Sequence, residues 1–362
     1  RVFLEIANNG FGDYVLKKGV TIGYASAAGE VLLATSSEAS MGTTTPSSTV
    51  KLEKISDELS GAITKVVQQC TKFSAAQRAA LEQLLRSRHS VFVTKLQKAG
   101  QADVPPISID TGDNAPVHLR PHRTSPVDDE IIDEEVESMA KIGAVSPAPP
   151  NCSWASPVVL VRKKNGEPRL CIDYRAINAI SKRDVYPLPR IDDILHRLRG
   201  AQVFSSVDCA SGYFQLKLDP ESREKTAFVT QRGLWIFNCL PFGLSSGVSA
   251  YQRAMDGILG RDIGDFCLWY IDDVIIFSAS FEEHLGHLRR VLDRFVAARL
   301  RIKISKCRLA QSSLPFLGHV VSSKGISPNP DNVAPICDAR APRSVKEISR
   351  FLGMTGFYRT FI

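Results

Sequence analysis

Phe266-Cys267-Leu268-Trp269-Tyr270-Ile271-Asp272-Asp273-Val274-Ile275-Ile276-Phe277 puts two adjacent carboxylates in the middle of an apolar run. Charges shielded from water cost roughly several kcal/mol each unless they are paired, neutralised or bound to a metal, so this pair asks for a cation. Along a strand the two side chains would alternate between faces, whereas at a tight turn both can lean toward one point. The run therefore reads as a hairpin with its acids at the turn. The plainer alternative is a solvated turn, since Asp is a common turn residue.

A third acid favours the metal reading. Asp208 also ends an apolar strand, Val203-Phe204-Ser205-Ser206-Val207, where a core residue would otherwise be expected. Three acids on neighbouring strand ends suit two Mg²⁺ ions. Mg²⁺ prefers oxygen ligands and keeps room for phosphates, and two ions about 3.5–4 Å apart can hold the attacking and leaving oxygens of a phosphoryl transfer.

Working outward, residues 203–208 and 235–239 read as strands, 249–259 as a helix, and a long helix follows the hairpin, capped by Ser280 and Glu283 with Phe281, Leu285, Leu288, Leu292 and Phe295 on one stripe. Residues 316–321 form a further hairpin with a turn at Lys324-Gly325, and a last helix opens at Ser344 and Glu347. Strand, helix, hairpin, helix, strand is the order of a split βαβ sheet with helices on one face, an α+β, palm-like core. Upstream, residues 158–161 and 169–172 are strands joined by a turn at Lys163-Lys164-Asn165-Gly166. Helices start at Ser74, with Gln77 completing a capping box, and at Ser125-Pro126, with Gly143 as the stop. Residues 34–49 are Ser/Thr-rich and read as a linker, and residues before about 33 as a few strands and turns.

The chain has 362 residues, is 44% hydrophobic and 23% charged, and carries a net charge of +7, which fits a globular protein of two or three packed units. A basic balance suits a polyanionic partner but decides little alone. Eight scattered cysteines without a close pair argue for free thiols in a reducing compartment. No apolar stretch reaches the roughly 20 residues of a spanning helix, and the N-terminus lacks a signal pattern. The expectation is an intracellular protein with no membrane partner. Arg1 in the first position and the end at Thr360-Phe361-Ile362 suggest a piece of something longer.

Several segments together resemble gypsy-type long-terminal-repeat retrotransposon reverse transcriptases. They are Ser153-Trp154-Ala155-Ser156-Pro157-Val158-Val159-Leu160-Val161, Arg169-Leu170-Cys171-Ile172-Asp173-Tyr174-Arg175, Tyr186-Pro187-Leu188-Pro189-Arg190-Ile191-Asp192, Leu240-Pro241-Phe242-Gly243-Leu244 and Phe316-Leu317-Gly318-His319, arranged in order around Tyr270-Ile271-Asp272-Asp273. The resemblance covers residues from about 72 to the C-terminus and implies a Pol polyprotein fragment with a right-hand polymerase of fingers, palm and thumb. Its division would be a flank and linker over 1–50, a helical lead-in over 51–125 and the reverse transcriptase over 126–362. Within the last, fingers would span about 126–200 and 217–248, palm about 201–216 and 249–324, and the start of the thumb about 325–362.

The implied activity is RNA-directed DNA synthesis from deoxynucleoside triphosphates on a primed RNA or DNA template, with two Mg²⁺ ions or Mn²⁺ in their place. Asp208, Asp272 and Asp273 would be the metal ligands, with the Cys209 carbonyl nearby. Lys163 and Arg169 would grip the triphosphate, as a point charge and a planar fork. Tyr213 would screen the sugar against a ribose 2′-hydroxyl, and Phe242 would line the nucleotide pocket. Tyr270, Phe316, Leu317, Gly318 and His319 would hold the primer end. RNase H, integrase and protease units are expected in the parent polyprotein, and the compartment would be the cytoplasm, inside a virus-like particle, or the nucleus.

One segment departs from the family pattern. Asn-Ala-Pro-x-Thr-Phe-Gln is usual where this chain has Ser246-Gly247-Val248-Ser249-Ala250-Tyr251-Gln252. The lost Asn and Pro alter a helix start near the template, so a catalytically dead nucleic-acid-binding remnant stands as the alternative function. Asp110-Thr111-Gly112 spells an aspartic-protease triplet, but it is followed by Asp113-Asn114-Ala115-Pro116 with flanks read as helical, not as an all-β fold. His284, His287 and Cys307 lack the spacing of a zinc site, and the two histidines read as a solvated helix face.

Overall fold

The computed structural model describes residues 25–27, 30–32, 55–162 and 166–361. The chain divides into two units, Arg1–Glu53 and Lys54–Ile362. In the first, β1 (Ala25–Ala27) and β2 (Glu30–Leu32) pair antiparallel. The linker expected over 34–49 lies outside the described residues, as do most of the strands and turns expected before it.

The second unit runs α1 (Asp57–Gln68), α2 (Ala75–Ser87), β3 (Phe92–Val93), α3 (Pro126–Lys141), β4 (Val145–Pro147), β5 (Ser156–Arg162), β6 (Pro168–Ile172), α4 (Arg175–Ile180) and α5 (Ile191–Arg197). It continues with β7 (Val203–Asp208), α6 (Pro220–Arg223), β8 (Phe228–Thr230), β9 (Gly233–Phe237), α7 (Gly247–Leu259), β10 (Cys267–Tyr270), β11 (Asp273–Ser278) and α8 (Phe281–Ala297). The last elements are β12 (Ile302–Lys303), β13 (Arg308–Gln311), β14 (Ser313–Phe316), β15 (His319–Ser322), β16 (Gly325–Pro328), α9 (Pro330–Cys337) and α10 (Val345–Gly356).

Three sheets organise this unit. The central one has the order β10-β11-β7-β13 and is antiparallel throughout. A five-stranded sheet of order β4-β9-β8-β5-β6 carries the hairpin of β5 and β6. A three-stranded meander, β14-β15-β16, follows. Its Leu317-Gly318 turn already separates two strands, so the segment read as one hairpin is two, because both turn residues take positive φ (45° and 76°) and reverse the chain within two residues.

Local signals explain most of the elements. The Ser74 and Gln77 capping box is complete, and Ser125, Ser280 and Ser344 each accept a backbone N–H in the first turn of α3, α8 and α10. On α8 the stripe of Phe281, Leu288, Val291, Leu292 and Phe295 is buried in the main core, worth roughly 1.5–3 kcal/mol per large side chain. Residues 99–125 contain no helix, so the flanks of Asp110-Thr111-Gly112 are irregular and extended, and Asp110 is spent on Lys182 at 2.8 Å and the Gly112 N–H. Helix α9 was not among the elements expected from the sequence; it carries Pro330 harmlessly in its opening turn and Pro335 inside it.

His284 is the main correction on α8. It is fully buried, with Nε2 at 2.6 Å from Ser205 Oγ on β7 and Nδ1 at 2.9 Å from Ser278 Oγ on β11. Ser278 Oγ also meets His287 Nδ1 at 2.8 Å, so these histidines tie the helix to the central sheet and are not a solvated face. Burial, reinforced by His287, lowers the His284 pKa from 6.5 to about 3. The unfolded chain therefore takes up a proton below pH 6.5 that the folded chain refuses. The stability present above 6.5 is lost as pH falls toward 3, at about 1.4 kcal/mol per pH unit. Urea unfolding at pH 6.5, 5.5 and 4.5 is expected to show this slope, and His284→Gln to lose that part of it.

Candidate active site

The sheet register brings the acids together. Asp208, the last residue of β7, lies directly opposite Asp273, the first of β11. Antiparallel partners have Cβ atoms about 4.5–5.5 Å apart, so the two carboxylates share one edge of the sheet. Asp273 also closes the hairpin opposite Tyr270, leaving Ile271 and Asp272 as its two-residue loop. Ile271 has φ 58°, a conformation usually left to Gly and costing a β-branched residue about 1–3 kcal/mol.

A polar network holds that strained loop. The Ile271 N–H donates to Gln252 Oε1 at 2.8 Å, and Gln252 Nε2 donates to Asp256 Oδ1 at 2.9 Å. Trp269 Nε1 donates to the same oxygen at 2.6 Å, and the Tyr186 hydroxyl donates to Oδ2. Gln252 and Asp256 were not picked out by sequence reasoning. Two signals were open to it: Gln252 keeps the last position of the family pattern that the rest of the segment departs from, and Asp256 follows four residues on along the same helix.

Asp272 and Asp273 are exposed, contrary to the burial inferred from their apolar neighbours, because the turn lifts them off the ends of buried strands. What remains of the electrostatic problem is local. Desolvation by the surrounding protein, then repulsion from Asp272 and Asp208, raises the Asp273 pKa, and Lys306 opposes the shift. Lys306 Nζ stands 3.1 Å from Asp208 Oδ2. No motif announced this lysine.

Donor chemistry at this edge fits a hard divalent cation: three carboxylates, one with a raised pKa that positive charge would relieve, and an ammonium already drawn to another. Among the described residues, however, no group of three or more His, Cys, Asp or Glu side chains is drawn together closely enough to hold an ion in this conformation. The same holds for His284, His287 and Cys307.

Aromatic rings continue from the acids toward the β5–β6 hairpin. Tyr213 stacks on Tyr251 with centroids 4.9 Å apart and packs at a 30° tilt against Phe242 at 4.7 Å, and the Arg169 guanidinium lies 5.7 Å from the Phe242 ring. Burial first, and the nearby Asp272 charge second, push the Tyr213 pKa up to about 12. Phe242 and Arg169 are exposed, whereas Cys209 is buried and its thiol is pushed up to about 12. Lys163 lies outside the described residues.

On the other side, a cavity of about 190 Å³ is lined by Asp208, Asp273, Lys306, Phe316, Leu317 and Gly318 among others. Phe316 and His319 are buried, so the Leu317-Gly318 turn is what the hairpin presents there. Tyr270 packs with Leu317 in a separate apolar cluster. His319 faces the C-terminal segment, with ring centroids 5.3 Å from Phe357 and 5.4 Å from Tyr358.

Where the sequence departs from the family pattern, the helix start is weak. Ser246 precedes α7 without a side-chain cap, and the loop before it is clamped by Asn178, which accepts from Ser245 N at 2.8 Å and donates to the Gly243 carbonyl at 2.9 Å. Tyr251 is fully buried. Among the described residues its hydroxyl finds no nitrogen or oxygen partner and has the Cys209 thiol as its polar neighbour. A Cβ on Gly212 would stand 2.3 Å from that hydroxyl, so glycine is required there.

A four-stranded antiparallel sheet with helices α7 and α8 and acids at the β7 end and the β10–β11 turn is the palm of a right-hand polymerase. Foamy viral protease-reverse transcriptase structures share this fold. The complex with double-stranded DNA of the form named dRH gives a TM-score of 0.76 at 21% identity, covering 83% of this chain and 52% of that one. The complex with an RNA/DNA hybrid gives 0.74 at 21%, covering 83% and 40%. Residues 161–321 match the family described as reverse transcriptase (RNA-dependent DNA polymerase), and this segment belongs to it. Among curated proteins, the chain is 36% identical over 259 residues to the retrovirus-related Pol polyprotein from transposon 297 of Drosophila melanogaster, covering 70% of this chain and 24% of that protein. For the Pol polyprotein from transposon gypsy of the same organism, identity is 37% over 261 residues, covering 70% and 25%. The chain thus spans about a quarter of the length of these relatives.

A buried hydroxyl whose polar neighbour is a thiol, a weak acceptor, recovers only part of a desolvation cost of about 1–3 kcal/mol. Tyr251→Phe is therefore expected to raise the unfolding free energy by up to about 1 kcal/mol, measured by urea denaturation, while keeping the ring stack on Tyr213.

Proposed function

We propose that this chain is the polymerase part of a retrotransposon Pol polyprotein and works as an RNA-directed DNA polymerase, adding deoxynucleotides to a primer 3′ end. The observation that carries this reading is the direct pairing of Asp208 with Asp273 across β7 and β11, beside Asp272. The family match over residues 161–321 supports it. Asp208, Asp272 and Asp273 would hold two Mg²⁺ ions, or Mn²⁺, which would supply charge stabilisation to the attacking and leaving oxygens.

The chain's own residues do the rest. Lys163 and Arg169 bind and orient the triphosphate, Arg169 stacked toward Phe242 and carrying no ion pair among the described residues. Tyr213 closes the sugar side of the nucleotide pocket, its ring held between Phe242 and Tyr251. Lys306 neutralises Asp208 until a cation takes its place. The Leu317-Gly318 turn seats the primer end beside Asp208 and Asp273.

The template is RNA or DNA paired to a primer, in keeping with the nucleic acids named for the foamy viral structures. Fingers, palm and thumb follow the boundaries given above, and RNase H, integrase and protease units belong to the parent polyprotein. Among the described residues no helix is long and apolar enough to cross a membrane. The compartment is intracellular.

Primer extension on poly(rA)/oligo(dT) with Mg²⁺ tests the activity. Asp208→Asn and Asp272→Asn are each expected to lower incorporation at least about a hundredfold. Wild-type incorporation no higher than that of Asp272→Asn would leave the chain a nucleic-acid-binding remnant. Tyr213→Val should reduce discrimination against ribonucleotides by about tenfold or more, read as the ratio of kcat/KM for dTTP and UTP. An unchanged ratio removes the steric role of Tyr213.

A further inference from the structure

The geometry points to a second anion site in this chain, a cavity built to hold a compact polyphosphate. It has a volume of about 600 Å³ and is lined by Lys98, Lys217, Arg223, Arg299, Arg301 and Asn238, with no carboxylate in its wall. None of the five cations belongs to an ion pair with a described acid. Like charges gathered without counter-charge repel one another, so the arrangement stores free energy that an anion releases.

Two further observations set this cavity apart from an ordinary basic surface. Arg223 Nε is buried and has no hydrogen-bond partner. Among the described residues that donor is left without an acceptor, so the side chain gives up no hydrogen bond at Nε if it turns toward the cavity, where a phosphate oxygen would accept from it. Arg299 ends α8 with φ 54°, where the chain turns by Leu300 N–H donating to the Phe295 carbonyl at 2.9 Å. Glycine is the usual residue in that helix-terminating conformation, so a cation is kept there against backbone strain.

The shape favours a small, multiply charged ligand. The cations come from three separate stretches of chain, at 98, 217–223 and 299–301 by residue number, and meet around one concavity. A duplex presents its phosphates as a row, about one charge per 1.7 Å of axis, and is matched by cations along a groove. A cavity of about 600 Å³ instead falls within the size of small-ligand pockets. Its wall also reaches the loop that follows Asp208. The Arg301 carbonyl accepts from Ala210 N and from Gln215 Nε2, both at 2.9 Å, and the Arg301 N–H donates to Gln215 Oε1 at 2.6 Å. The Arg301 guanidinium donates from Nη1 to the Ser90 carbonyl and from Nε to Gln101 Oε1 at 3.4 Å, which leaves Nη2 for an anion, and the backbone of the same residue is what braces the loop. The site stands whether or not the chain polymerises DNA.

Calorimetric titration of the full chain with sodium tripolyphosphate at fixed ionic strength tests the site. In EDTA, with no divalent ion to bring a triphosphate to the three aspartates, wild type is expected to bind one equivalent, and the double variant Lys217→Gln with Arg223→Gln to bind it at least tenfold more weakly. The pair Lys163→Gln with Arg169→Gln, altered at the proposed nucleotide grip, should bind it as wild type does. The surface pair Lys346→Gln with Arg350→Gln should bind as wild type does. Arg299→Gly is expected to weaken binding while raising the melting temperature without ligand, since glycine accepts positive φ freely. That opposite pair of effects separates loss of the site from loss of the fold. Absence of saturable one-to-one binding, equal weakening by the surface pair, or unchanged affinity in the double variant would each overturn the proposal. It would also fall if these cavity variants weakened binding of a 20-base-pair duplex but not of tripolyphosphate, since the cavity would then belong to a nucleic-acid backbone.

Discussion

Like charges set face to face across a sheet are the constraint on which this molecule turns. Asp208 and Asp273 occupy one antiparallel pair, with Asp272 at the turn beside them. Nothing in the strands requires acids there, since Val, Ile or Thr would pair better. The surroundings are arranged to tolerate the repulsion. Solvent reaches the two turn acids, Lys306 leans on Asp208, and the buried strands behind supply the stability that the edge gives up.

The turn adds a second expense at the same place. Ile271 in a left-handed conformation is held by Gln252, which is held by Asp256, which collects donors from Trp269 and Tyr186. Each member is satisfied by the next, so the network fixes the height and direction of the loop. Such over-determination lets a strained loop persist at a site where position matters more than local energy.

The palm could be read from the sequence because its signals are local. Alternating apolar runs end in Asp208 and Asp273, serine caps open α8 and α10, and the spacing of Phe281, Leu288, Leu292 and Phe295 marks one helix face. Other features depend on partners distant in the chain. Lys306 meets Asp208 across 98 positions, and Gln252 meets Ile271 across 19. His284 stands three residues after Phe281 and four before Leu288, on the apolar stripe of α8, so its spacing points inward. It reads as a surface residue on its polarity, because the hydroxyls of Ser205 and Ser278 that satisfy its ring are not visible from the helix alone. The acids themselves were misjudged in burial, since a two-residue turn exposes what an unbroken strand would cover.

The hairpin beside the acids is also fastened to the end of the chain. Tyr358 donates its hydroxyl proton to the Gly318 carbonyl at 2.7 Å, the His319 ring packs against Phe357, Tyr358 and Phe361, and a Cβ on Gly318 would meet the Phe357 ring at 3.0 Å. Helix α10 leads directly into this aromatic clasp. The turn that lines the cavity beside Asp208 and Asp273 therefore shares its footing with the C-terminal aromatic residues, and its position is set from two sides, by the strands it joins and by the segment that closes over it.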